Sequence, residues 1–214
     1  MTPGQIESAA RRRLNASSST FWSSTEIIED CLYFALLDLI QRAKCYETTS
    51  TTTSVPSQAE YAFPTDAIEI KQITYDNQKL EAMSQRQYFA LNLSGTTSPI
   101  GRPTHYIVWG NTYTLFPTPD TAYTIKLWTI NNPGSITSTS TIPIPAEFHG
   151  RLVNGVAYYM LLKEVDDPRI PVFEARWQRD IIDTTDEWKR RRYADKMPRV
   201  QTEENLVTTD TGIA

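Results

Sequence analysis

From Ile27 the apolar residues recur at spacings of three and four. Ile27, Ile28, Cys31, Leu32, Ala35, Leu36, Leu39, Ile40 and Ala43 form one wide stripe, while Asp30, Asp38, Arg42 and Lys44 fall on the other side. That periodicity predicts an amphipathic helix. Ser23-Ser-Thr-Glu26 has the spacing of a capping box, so the helix is expected to open there and run to about Tyr46. A shorter helix is expected over Gln5–Leu14, broken by the Ser/Thr-rich Asn15–Thr20. The period then changes. Thr48–Ser57, "TTSTTTSVPS", offers little to bury and reads as a low-complexity linker. Ala67–Tyr75 alternates with one imperfect step, which suggests a strand with a bulge, and Asp76-Asn77 can turn it into a return strand over Lys79–Met83. Ser84-Gln-Arg-Gln87 is a second capping box, opening a short helix to about Leu91.

His105–Trp109 and Thr112–Phe116 read as paired strands around Gly110-Asn111, which suits a primed two-residue turn because glycine accepts positive φ without steric cost. Pro117 and Pro119 end the return strand, since proline cannot donate to a ladder. Ala122–Ile130 alternates again and is expected to be a third strand, with one face buried. Helical spacing resumes after Pro145, over Gly150–Glu164, and stops at Asp166-Asp167-Pro168. In a last helix over Pro171–Lys196, Phe173, Trp177, Ile181 and Trp188 share one stripe.

The expected class is therefore α+β: a helical bundle with an inserted antiparallel β-sandwich or barrel lobe. The segments are 1–47 for the N-terminal helices, 48–58 for the linker, 59–144 for the lobe, 145–197 for the C-terminal helices, and 198–214 for an extended polar tail.

Composition narrows what such a chain can do. With 40% hydrophobic and 11% aromatic residues among 214, it can bury a core. A formal charge of -4 argues against a dedicated nucleic-acid binder, and no run of about 20 apolar residues predicts a membrane span. Arg11-Arg12-Arg13 is not followed by the apolar core of a secretory signal. Cys31 and Cys45 fall in one predicted helix. They stand about 21 Å apart there, too far for a disulfide, and read as core or interface residues.

No nucleophile elbow, phosphate-cradling glycine loop or metalloprotease helix motif is present. The two histidines, His105 and His149, are isolated. His149 with Glu164 or Asp166 is the one pairing that could serve an enzyme, and the acidic cluster lacks the ligand spacing of a calcium loop. The chain is read as a non-enzyme that needs no cofactor. The basic run Lys189-Arg-Arg-Arg192, with Arg199, either answers a helix C-terminal dipole or contacts an acidic partner. Trp109, Tyr113 and Phe116 could supply rigid contact area. The aromatics Tyr106, Trp109, Tyr113, Tyr123 and Trp128 would alternatively suit a module that binds carbohydrate or another protein of its assembly.

Three stretches carry a resemblance. "YAFPTDAIEIKQITYDNQKLEAMS" (Tyr61–Ser84), "GRPTHYIVWGNTYTLFPTPDTAYTIKLW" (Gly101–Trp128) and "IPIPAEFHGRLVNGVAYYMLLKEVDDP" (Ile142–Pro168) together resemble the head-to-tail adaptor, or connector, proteins of tailed bacteriophages. The shared pattern is an aromatic-x-x-Pro-x-Asp start to the lobe, a Gly-x-Pro-x-x-Tyr strand, a strand ending in Pro-x-Pro-Asp, and a Pro-x-x-x-His entry to a helix. The resemblance implies a structural virion protein of the neck, assembled in the host cytoplasm. It implies a homo-oligomeric ring, commonly of about twelve copies, between the portal and a tail or nozzle protein, with DNA passing through without sequence-specific contact. The helices would face the portal and the lobe the tail. On that basis Trp177, Trp188, Lys189, Arg190, Arg191, Arg192 and Arg199 are expected at the portal or a neighbouring copy, and Trp109, Tyr113 and Phe116 on the tail side. The polar tail is expected to lie on a neighbour or on the portal.

Overall fold

The structure is a computed structural model that describes residues 1–17, 19–92, 99–164 and 166–194. Helix α1 (Pro3–Arg13) opens on a full capping box made by Thr2 and Gln5. The helix predicted from Ser23 is built in three pieces: α2 (Ser24–Glu26), a π-helical turn (Ile27–Cys31) and α3 (Leu32–Ala43). Only one half of the expected box forms there, the Glu26 amide donating to Ser23 Oγ. The wider π turn rephases the stripe. Buried residues then come as adjacent pairs: Ile27/Ile28, Cys31/Leu32, Ala35/Leu36 and Leu39/Ile40. Lys44 ends the helix in the left-handed conformation at φ 55°, so Cys45 lies beyond it. Both cysteines are free and buried.

The stretch read as a linker is a strand, β1 (Glu47–Thr53), and this corrects the sequence expectation. It pairs antiparallel with β8 (Thr124–Asn131) along its whole length. Its sheet runs β1–β8–β3–β4, with β3 at Ala67–Tyr75 and β4 at Gln78–Lys79. A β-branched run lacks buried surface but has every backbone donor, and a neighbouring strand uses those. The imperfect alternation in β3 appears as two register shifts, and Asp76 and Asn77 turn it at φ 47° and 61°.

The second sheet runs β2–β7–β6–β5, from β2 (Glu60–Ala62), β5 (Glu81–Ala82), β6 (His105–Trp109) and β7 (Thr112–Phe116). Gly110 takes φ 56° at the hairpin turn, as expected. Strand β8 belongs to the first sheet and does not join the hairpin's. One expectation fails here. The return strand after Asn77 splits, β4 pairing with β3 and β5 passing to β6 in parallel. The sheets face each other across Ile73, Tyr75, Ile125 and Leu127 on one side and Tyr61, Tyr106, Tyr113 and Leu115 on the other. The lobe is therefore a sandwich and not a closed barrel. Helix α4 (Gln85–Asn92), opened by the full box of Ser84 and Gln87, lies against the outer face of the second sheet.

A 3-10 turn (Ala146–Phe148) leads into α5 (His149–Leu161), and α6 (Ile170–Ala194) follows. Helix α5 is the centre of the bundle, packed by α1, α3 and α6. The chain enters the lobe from α3 and leaves beside its own entry, where the Asn131 amide donates to the Tyr46 carbonyl at 3.1 Å. The exit segment then lays Ile136, Ile142 and Ile144 into the helical core. The molecule is thus an α+β fold with two hydrophobic cores.

Candidate interaction surfaces

The groups that could have carried chemistry are used structurally. His149 is buried. Its Nε2–H donates to the Ile144 carbonyl at 2.9 Å, leaving Nδ1 to accept from the Met1 amino group at 2.8 Å. His105 Nδ1 is 2.8 Å from the Thr104 hydroxyl. Asp167 is chelated by Arg169, whose guanidinium holds that carboxyl well below the usual carboxylate range. Burial pushes the Cys31 and Cys45 thiols up to about 11 and about 12, so neither is a thiolate nucleophile at neutral pH. Among the described residues no group of three or more His, Cys, Asp or Glu side chains is placed to hold a metal ion.

On the lobe, the hairpin aromatics separate. Tyr113 is 1% exposed and stacks on Tyr61 at 5.5 Å, inside the sandwich. It is a core residue, and its expected role as contact area is corrected; burial raises its hydroxyl pKa. Strand alternation explains this: Tyr113 and Leu115 point inward, and Thr112, Thr114 and Phe116 outward. Trp109, at the hairpin end, is 58% exposed. Phe116 is half-buried under Tyr88 of α4, ring centroids 5.9 Å apart. A groove of about 270 Å³ runs between α4 and this outer face, lined by Glu60, Tyr88, Phe89, Ile107, Trp109 and Thr114 among others. Phe89 is half-exposed at its edge. The contribution of α4 was not foreseen. Its signal was the adjacent Tyr88-Phe89 on a short helix that cannot bury both faces.

The five-aromatic platform is not formed. Tyr106 and Tyr113 are buried, and Trp109 and Trp128 stand on different sheets. Trp128 instead lies under the Lys126 ammonium at 4.4 Å.

On the bundle, Trp177 is fully buried and its Nε1 donates to Asp38 Oδ2 at 2.8 Å, so it too is core and not a contact residue. Trp188 is half-buried, edge-on to Phe148 at 6.2 Å. Arg191 lies over both rings and pairs with Glu147. Lys189 and Arg190 are exposed. The side chain of Arg192, and Arg199 with the polar tail, lie outside the described residues.

Two further features escaped the sequence reading. The outer face of α6 carries Val172, Ala175, Arg176 and Arg179 around a shallow groove. Opposite in character, Glu29 and Asp30 of the π-helical turn and Phe34 in the first turn of α3 are exposed. The i,i+3/i+4 spacing of exposed residues was the available signal, but stripe analysis follows the buried side. No helix among the described residues is long and apolar enough to cross a membrane.

The sequence model of one family, described as SU10 adaptor protein, matches residues 1–201. No curated protein matches the chain.

Proposed function

The chain belongs to the SU10 adaptor protein family, and from that premise we propose that it is a structural virion protein of the phage neck that forms a ring between the portal and the tail, with a channel for DNA. The observation that carries this reading is the extent of the family match, which spans the helical bundle and the lobe together. The arrangement supports it. Two cores joined at one pair of adjacent crossings place a helical surface and a sheet surface on separate parts of one subunit. Each presents apolar side chains to solvent: Trp109 and Phe89 on the lobe, Phe34 and Val172 on the bundle. Exposed aromatic side chains offer rigid contact area to a partner. In this reading the bundle meets the portal and neighbouring copies, and the α4 groove with Trp109 meets the tail. Polymer passage needs no base recognition, and a subunit with formal charge -4 gives DNA phosphates little to hold.

Electron microscopy and mass measurement of the protein mixed with its purified portal test the reading. Ring assemblies stacked on the portal are the expected result. A protein that stays monomeric and ignores the portal overturns it. Within that assay, Trp109→Ala is expected to leave portal binding intact and weaken tail attachment by roughly tenfold, as for an exposed aromatic anchor.

A further inference from the structure

One sheet edge stands open. Among the described residues three of the four edge strands are short: β4 and β5 have two residues each, and β2 has three. The fourth, β1, has seven, and from Thr48 to Thr53 it carries no charge, no proline and no bulge. Short length, charge, proline and bulges are the devices that keep an edge from accepting another strand. The ladder to β8 fixes which backbone groups face outward. The Asn131 amide donates to the Tyr46 carbonyl at one end, and the Ser54 amide donates to the Tyr123 carbonyl at the other. Antiparallel pairing alternates, so Thr48, Ser50 and Thr52 bond to β8. Thr49, Thr51 and Thr53 turn their amides and carbonyls to the free side. Among the described residues nothing hydrogen-bonds to those groups.

The helices deliver the rest of the chain to the same end of the molecule. Helix α5 runs antiparallel to α3: Phe34 near the start of α3 meets Tyr159 near the end of α5, and Glu26 of α2 pairs with Lys163 just past it. Helix α6 runs antiparallel to α5, with Trp177 at Gly155, Thr184 at Arg151 and Trp188 at Phe148. Helices α3 and α6 are therefore parallel. The C-terminus of α6 points toward the lobe, as α3 does where it passes into β1. Twenty residues follow Ala194. Within them Asn205–Thr211, "NLVTTDT", has the length of β1, lacks proline, and holds Leu206, Val207, Thr208, Thr209 and Thr211. Its β-branched residues favour a strand. The ten residues Asp195–Glu204 ahead of it span about 33 Å when extended, roughly the length of β1 plus the spacing of two packed helices.

We propose that Asn205–Thr211 adds to the free edge of β1 in its own chain, as a fifth strand of that sheet. Its backbone takes the outward amides and carbonyls of Thr49, Thr51 and Thr53, so main-chain hydrogen bonds supply the affinity. The tether holds the segment at an effective concentration in the mM range. The contact forms within one copy and does not depend on ring formation. It also closes the one long edge among the described strands through which two copies could pair edge to edge.

Amide hydrogen exchange of the full chain alone in solution, read by NMR, tests the contact against a truncation after Glu204 and against Val207→Pro. Protection in α5 reports that each protein is folded. The amides of Thr49, Thr51 and Thr53 are expected to be protected in the full chain, independently of protein concentration. They are expected to exchange at least about tenfold faster in both variants, with Thr48, Ser50 and Thr52 little changed. Equal exchange of the three amides in the full chain and the truncation overturns the proposal, as does a V207P protein protected like the parent. Protection that grows with protein concentration assigns the edge to a second copy, and protection that appears only on adding the portal assigns it to that partner. Either result overturns the proposal and leaves the ring reading in place.

Discussion

At the scale of single residues, the tightest constraint is Gly155 in α5. A Cβ there would stand 2.9 Å from three ring carbons of Trp177. The indole cannot swing aside, because its Nε1 is tied to Asp38 and the ring is fully buried. Overpacking a core costs about 1–3 kcal/mol, whereas alanine gains up to about 1 kcal/mol over glycine in helix propensity. Steric cost wins. Gly155→Ala is expected to lower the urea midpoint, equivalent to about 1–2 kcal/mol, with an unchanged m-value. A stabilised Gly155→Ala would show that the ring is freer than its hydrogen bond implies.

At the scale of elements, β1 shows how a strand without apolar residues is held. Its central threonines are exposed, but Ser54 at its end is 2% exposed. Ser54 Oγ accepts from the Tyr123 amide at 2.8 Å, lies 3.0 Å from the Thr121 carbonyl, and meets the Tyr75 hydroxyl at 3.1 Å. One hydroxyl thus ties β1 to the start of β8 and the end of β3. Ser54→Ala leaves buried polar groups unmatched and is expected to cost about 1–3 kcal/mol. Thr51→Ala, on the exposed part of the same strand, is expected to stay within about 0.5 kcal/mol. Thermal melts of the two variants compare them directly, and equal losses would refute the assignment of β1's anchorage to Ser54.

For the whole molecule, β8 is the mechanical link. Ile125 and Leu127 belong to the lobe core, and Ile130 on the same strand belongs to the helical core. The two cores are therefore expected to unfold together. Ile130→Ala removes a fully buried side chain at the junction and should cost about 2–5 kcal/mol. Hydrogen exchange is the measurement. Protection in β6 and β7 is expected to fall with that in α5 in the parent, and to separate from it in the variant. Separate unfolding of the parent's two cores would sink this linkage.

The sequence by itself determined what depends on neighbours along the chain. The helical stripes, the capping box at Ser84, and the Asp76-Asn77 and Gly110 turns follow from local sterics and hydrogen bonding. The α+β class follows from where the apolar period changes. Tertiary structure alone decided which strand accepts which partner. It made a strand of the Thr-rich Glu47–Thr53 and sent β8 away from the hairpin that precedes it, because ladder partners are chosen by packing between distant segments. It also decided which aromatics reach solvent. Tyr113 and Trp109 share a hairpin, and Trp177 and Trp188 share a stripe, yet one of each pair is buried outright. What covers each comes from elsewhere in the chain: Tyr61 and the facing sheet for Tyr113, Gly155 and Asp38 for Trp177.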